Sequence, residues 1–105
     1  MSLVISTTTE MLQRINNKMV RGPTFVVSVL DIHRVHYEEG EKVACVEIEG
    51  GAGSDNQVNW VIYSETLRGW EPPDLEMEMQ EVKRQEILTN VSKSFDLLDM
   101  PHNIV

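Results

Sequence analysis

The side chains best suited to chemistry lie in one short stretch, "DIHRVH", which contains Asp31, His33 and His36. Imidazole and carboxylate groups serve as metal ligands and as general acids and bases. The apolar residues around the stretch predict a strand, on which His33 and His36 point to opposite faces and cannot bind one metal ion together. Asp31 and His33 share a face, but no serine or cysteine nucleophile lies at a spacing that would place it beside them. The sequence therefore predicts neither a metal site nor a catalytic dyad here.

The other reactive groups are one cysteine and many carboxylates. Cys45 lies in an alternating apolar run, which is typical of a buried small apolar residue, and a single cysteine excludes an internal disulfide. Two carboxylates suffice for glycoside hydrolysis, but among 17 acidic residues some pair must be close by chance. The stretch "GGAGSDNQ" lacks the residues of a phosphate-binding loop. We predict no catalytic residue, no metal and no cofactor, and hence a protein that is not an enzyme.

The elements that would position these side chains follow from the apolar periodicity. Thr7 and Glu10 have the spacing of a capping box and begin a helix that stops at Gly22. β-Branched and aromatic runs then predict strands, of which the first two form a hairpin around Gly40. The predicted strands cover residues 24–37, 42–50 and 58–67, and a second helix covers 83–98.

We therefore predict a single α+β domain over residues 1–105. Its element order is α-β-β-β-α, with a three-stranded antiparallel sheet packed against two helices, and "HNIV" at the end of the chain is compatible with a short C-terminal strand. At this length about two thirds of the unfolded surface can be buried. No run approaches the roughly 20 apolar residues of a spanning helix, and no secretion signal precedes the first element, so we expect the protein in the cytoplasm.

The stretch "RGWEPPDLEMEMQ", residues 68–80, conflicts with one long straight helix. Leu75, Met79 and Val82 fall on the side opposite to the apolar residues of the helix from 83 to 98. Three arrangements are open, and they place the helix start between residues 74 and 82. The helix begins near Met79 after an extended segment, or it is covered on both sides, or its second apolar stripe, with Met77, contacts another chain.

Trp70 lies in the same stretch and has two interpretations. Gly69 and the proline pair that follows Glu71 form a rigid extended turn. In the first interpretation the indole plugs the open end of the core. In the second it is an exposed anchor for a partner, surrounded by charged neighbours.

The charge of the chain is unevenly distributed. The net charge is −8, of which residues 1–37 contribute +2 (four basic, two acidic) and residues 38–105 contribute −10 (five basic, fifteen acidic). Such a surface repels nucleic acid and anionic membrane, and it either steers a basic partner or keeps the protein soluble. The predicted partner-binding residues are Glu38, Glu39, Glu41, Trp70, Glu71, Leu75, Met77 and Met79.

The C-terminal half also carries a family resemblance. "NWVIYSETLRGWEPP", followed by the second helix and "DMPHNIV", resembles the small acidic bacterial immunity proteins that neutralise toxins of polymorphic secretion systems. The likeness covers about residues 58–105 and consists of a strand that ends in a Trp-x-Pro-Pro loop, a long helix and a short tail. It implies a cytosolic, non-enzymatic inhibitor of a toxin domain, often a basic nuclease, with acidic side chains in the place of phosphates. No functional residue carries over from it.

Three functions follow in order of preference. The first is a non-catalytic protein-binding module, of the immunity type, that inhibits a basic toxin. The second is a homo-oligomeric structural module joined by the apolar residues between 75 and 82. The third is a small-molecule-binding or hydrolytic protein with a pocket between sheet and helices. The inward strand positions are mostly Val, Ile, Ala and Trp, which argues against the third.

Overall fold

The computed structural model of the protein describes residues 12–52, 58–72 and 79–105. The residues that mark the start of the first predicted helix lie outside these ranges. A 3-10 turn, Ser64–Thr66, follows the sixth strand. The remaining elements are β1 (Gln13–Asn16), β2 (Met19–Arg21), β3 (Val26–Val29), β4 (Arg34–Glu39), β5 (Lys42–Ala52), β6 (Val58–Tyr63), α1 (Glu81–Leu97) and β7 (His102–Ile104).

The seven strands form one sheet in the order of the chain, β1 to β7. All neighbours are antiparallel except β6 and β7, which are parallel. The sheet curls into a half-barrel, and α1 is the single helix of the described residues. The predicted three-stranded sheet on two helices is therefore wrong, because the described elements are seven strands of one sheet and one helix.

The first correction concerns residues 12–21, where the sequence predicts the second half of a helix. The structure instead has the β1–β2 hairpin, in which the Asn16 side-chain oxygen accepts a hydrogen bond of 2.8 Å from the Lys18 N–H. Asparagine favours turns through such local bonds. Val20 is fully buried, whereas Ile15, on the predicted apolar face of the helix, is 45% exposed. Pairing with β3 therefore outweighs the helical spacing of the apolar residues.

The second correction concerns the run 24–37, which is two strands and not one. The Asp31 side chain accepts a hydrogen bond of 2.7 Å from the His33 N–H and closes a turn between β3 and β4. Aspartate stabilises turns in this way. The hairpin of β4 and β5 is confirmed, with Gly40 at φ +63° in its turn. Glycine is suited to this left-handed conformation because it has no Cβ.

The C-terminal elements agree better with the sequence. A strand at β6, a helix close to 83–98 and a short terminal strand are all present. The helix α1 begins at Glu81, and Gln80 before it is extended. A straight helix from residue 75 is therefore wrong, and Val82, from the second apolar stripe, is 80% exposed. Residues 73–78, and with them the predicted extended segment, lie outside the described residues.

The core lies between the inner face of the curled sheet and α1. The sheet contributes buried side chains such as Val35, Val46 and Ile62, and the helix contributes Ile87 and Phe95. Alternate strand residues face this core, as the two-residue period of a strand requires. In the part of the chain that the structure covers, no helix is long and apolar enough to cross a membrane.

Candidate partner-binding surface

The β4–β5 turn and the segment that follows the 3-10 turn bring five of the predicted binding residues to one end of the sheet. Trp70 forms a bridge to Ala44 of β5, and the Glu71 N–H donates a hydrogen bond of 2.6 Å to the Val43 carbonyl. Both residues thus lie beside the first residues of β5, next to the turn that carries the three predicted glutamates. We call this set the acidic end: Glu38, Glu39, Glu41, Trp70 and Glu71.

Of the other three predicted residues, the structure describes only Met79. Met79 is partly buried and packs against the core. Leu75 and Met77 lie outside the described residues, so a homo-oligomeric contact through the apolar residues between 75 and 82 stays a prediction.

Trp70 has a structural role at the acidic end. Its side chain is 3% exposed and belongs to the core. The Lys42 ammonium lies 4.7 Å from the centre of the indole ring, within the range of a cation–π contact. Of the two interpretations of this residue, the structure therefore shows the indole that closes the end of the core.

Glu39 is held in a network of partly buried polar groups. Its carboxylate accepts hydrogen bonds from the Tyr37 hydroxyl at 3.1 Å and from the Lys83 ammonium at 3.0 Å. The Tyr37 oxygen in turn accepts a hydrogen bond of 3.1 Å from the Asn90 amide. Hydrogen bonds from Lys83, first to Glu86 and then to Glu39, raise the pKa of the ammonium. Burial raises the pKa of the Tyr37 phenol. This network joins β4 to α1.

Glu38, Glu41 and Glu71 have a different environment, because all three are exposed. Within the described ranges none of them takes part in an ion pair or a side-chain hydrogen bond. Glu38 also lines a cleft of about 350 Å³ together with Gly40 and the loop between β2 and β3. Three carboxylates at this end are therefore free to contact a partner.

The residues first considered for chemistry are not assembled into a reactive site. Asp31 and His33 lie in the turn before β4, and His36 pairs across the sheet with Cys45. Burial, and to a smaller extent the Glu71 carboxylate, raise the pKa of the Cys45 thiol, so it is protonated at neutral pH. Among the described residues, no three His, Cys, Asp or Glu side chains are grouped to hold a metal ion.

One polar arrangement was not predicted from the sequence. Nε2 of His102 lies 2.6 Å from the Ser92 hydroxyl, and its Nδ1 lies 2.9 Å from the Met100 carbonyl oxygen. Because a carbonyl can only accept, Nδ1 carries a proton, and in the neutral imidazole Nε2 accepts from Ser92. The Asp96 carboxylate is 3.9 Å from Nδ1, too far for a hydrogen bond. These contacts join β7 to α1. They depend on the parallel pairing of β7 with β6, which no sequence pattern indicated.

Ser92 also lacks the surroundings of a nucleophile. It lies within α1, where the backbone N–H groups are bonded to carbonyls of the same helix. Acyl transfer needs such donors free to stabilise an oxyanion. The serine and histidine therefore hold the tail in place.

The described residues form one curled sheet and one helix, and among them the exposed carboxylates at one end have no ion-pair partner. A model of the family described as Immunity protein 74 matches residues 27–104, and the chain belongs to this family. The resemblance to the immunity proteins of toxin systems is thereby confirmed, and the match extends over most of the sheet as well as the C-terminal half. No curated protein and no solved structure shows a significant match.

Proposed function

We propose that the protein is a non-catalytic inhibitor that binds a basic toxin domain through the acidic end. Family membership supports a role as an immunity protein of a toxin system, and hence a protein partner. The observation that carries the proposal is the grouping of the exposed carboxylates of Glu38, Glu41 and Glu71 at one end of the sheet. We also propose that this inhibition takes place in the cytoplasm.

The electrostatics favour a basic partner. Residues 38–105 have a formal charge of −10 (five basic against fifteen acidic residues), and the acidic end lies within this segment. A surface of one sign attracts an oppositely charged protein and raises the rate of association, by factors of roughly 10 to 1,000. Carboxylates can also occupy the positions at which a basic nuclease binds phosphates.

The five residues of the acidic end have two different tasks in this proposal. Glu38, Glu41 and Glu71 contact the toxin, because they are exposed and have no ion-pair partner among the described residues. Glu39 and Trp70 instead hold that surface in position. Glu39 does so through its contact with Lys83, and Trp70 through its burial in the core. Only the first group should therefore change binding without changing stability.

The experiment compares two triple variants with the same change in net charge. Toxin domains encoded beside the gene are titrated calorimetrically with the wild type, with Glu38→Gln/Glu41→Gln/Glu71→Gln, and with the control Glu47→Gln/Glu49→Gln/Glu65→Gln. We expect the first variant to bind at least about tenfold more weakly and the control to bind as the wild type does. Equal losses in both variants would show that only total charge matters. Absence of any complex would refute the proposed function itself.

A further inference from the structure

A second cleft lies at the C-terminal end of α1, where the chain leaves the helix and approaches β6. It has a volume of about 580 Å³. The loop that forms one wall is held in place by a hydrogen bond of 2.8 Å from the Trp60 N–H to the Pro101 carbonyl. The cleft is lined by Val58, Trp60, Asp96, Asp99, Met100 and Pro101.

The indole of Trp60 is fixed as the apolar wall of this cleft. It is partly buried and packs on the core. It crosses β5 at Gly50, where an added Cβ would lie 3.1 Å from Cζ3 of the indole. Glycine at this position therefore lets the ring lie flat on the neighbouring strand. One face of the cleft is thus aromatic and rigid.

The rim of the cleft is negative. Asp96 lies in the last turn of α1 and Asp99 just beyond it, with side chains that are 74% and 89% exposed. The C-terminal end of a helix already carries partial negative charge, so carboxylates there are unfavourable for the helix itself. Asp99 has φ +58°, the left-handed conformation in which many helices end and which aspartate tolerates better than most residues. The two carboxylates add to the partial negative charge of the helix end and make this rim attractive to a cation.

Besides His102, whose Nδ1 lies 3.9 Å from the Asp96 carboxylate, the described residues place Arg14 at this rim. Its Nη1 lies 3.5 Å from the Asp99 carboxylate and 3.4 Å from the Leu97 carbonyl oxygen. These contacts are long and exposed, and the Asp96 carboxylate has no contact with Arg14. The cleft thus combines an aromatic wall with carboxylates that one exposed arginine only partly neutralises.

We propose that this cleft receives an arginine side chain of the bound toxin. A guanidinium group stacks on an indole face and pairs with two carboxylates at once, which a lysine ammonium does less well. Met100 and Pro101 provide the apolar surface that the arginine stem requires. The inference rests on the proposed binding of a toxin, but it concerns the end of the molecule opposite to the acidic end.

A small probe tests the cleft without the toxin. We would titrate the 15N-labelled protein with N-acetyl-arginine amide and follow the indole N–H resonances of both tryptophans by NMR. The neutral citrulline analogue serves as the control ligand. We expect a saturable shift of the Trp60 resonance with arginine, little change with citrulline, and no change for buried Trp70. Equal shifts with both ligands, or no saturable shift, would overturn the proposal.

Variants separate this proposal from the proposed function. Asp96→Asn/Asp99→Asn should weaken probe and toxin binding at least about tenfold, since it removes charge-assisted hydrogen bonds. The matched control is Glu47→Gln/Glu49→Gln. Arg14→Gln should strengthen probe binding, because it removes the competing cation. If the aspartate variant binds toxin as the wild type does while the acidic-end variant does not, the cleft proposal fails and the proposed function stands.

Discussion

Glu38 and Glu39 are adjacent in the chain but have opposite environments. The strand places Glu38 on the outer face of the sheet, where it is exposed, and Glu39 on the inner side, where it contacts Tyr37 and Lys83. A run of glutamates therefore contains both exposed carboxylates and structural ones, and the two-residue period of the strand separates them. The charge pattern alone cannot make this distinction.

Tyr37 should make the protein sensitive to alkaline pH. Its pKa is raised in the folded state, so the folded protein keeps a proton that the unfolded chain releases above about pH 10. The stability from this group is complete below that pH and is lost as the pH rises, at up to about 1.4 kcal/mol per unit. We expect the unfolding free energy of Tyr37→Phe, measured in urea, to fall less steeply above pH 10 than that of the wild type. Parallel curves for wild type and Tyr37→Phe would contradict the assignment.

At the scale of elements, Arg84 joins the helix to the segment that carries the acidic end. Its Nε donates to the Leu67 carbonyl at 2.8 Å and its Nη2 to the Ser64 carbonyl at 2.6 Å. The same guanidinium pairs with Glu81 in the first turn of α1 at 3.0 Å. Because the planar group makes these bonds in several directions at once, it fixes the position of the helix relative to the turn before Trp70.

Replacing Arg84 by lysine should therefore weaken the fold although the charge is kept. A single ammonium cannot donate hydrogen bonds in the same directions as the planar guanidinium. We therefore expect a loss of about 1–3 kcal/mol in unfolding free energy. Arg68→Lys, at an exposed arginine of the same segment, should change stability by less than about 0.5 kcal/mol. Urea denaturation of both variants provides the measurement. Equal stabilities would mean that Arg84 is as dispensable as a surface arginine.

Some of the secondary-structure elements could be predicted from the sequence and others could not. The β4–β5 hairpin, β6 and α1 were predictable, because a glycine turn, an apolar run and a sustained 3.6-residue period are local signals. The β1–β2 hairpin was not, since its few apolar residues fit helical spacing and its pairing with β3 depends on distant residues. The β3–β4 turn was missed because an aspartate closes it where neither glycine nor proline marks the break.

At the scale of the whole molecule, the fold places two candidate binding surfaces apart. One is the acidic end, and the other is the cleft at the C-terminal end of α1. The acidic end was partly predictable, because the glutamates of the β4–β5 turn are close in sequence, but their meeting with Glu71 required the pairing at Val43. The second cleft was not predictable, since it joins the start of β6 to the loop after α1. A toxin that uses both ends would have to span the length of β5, which starts beside Glu71 and reaches Gly50 beside Trp60.

The most direct test of the central claim is a titration of toxin activity with the immunity protein. Binding without catalysis predicts that activity falls linearly and vanishes at an equimolar ratio, and that toxin separated from the complex is chemically unchanged and active again. The Glu38→Gln/Glu41→Gln/Glu71→Gln variant should need an excess to reach the same inhibition. Inhibition at amounts far below equimolar, or toxin that stays inactive and modified after separation, would contradict the account.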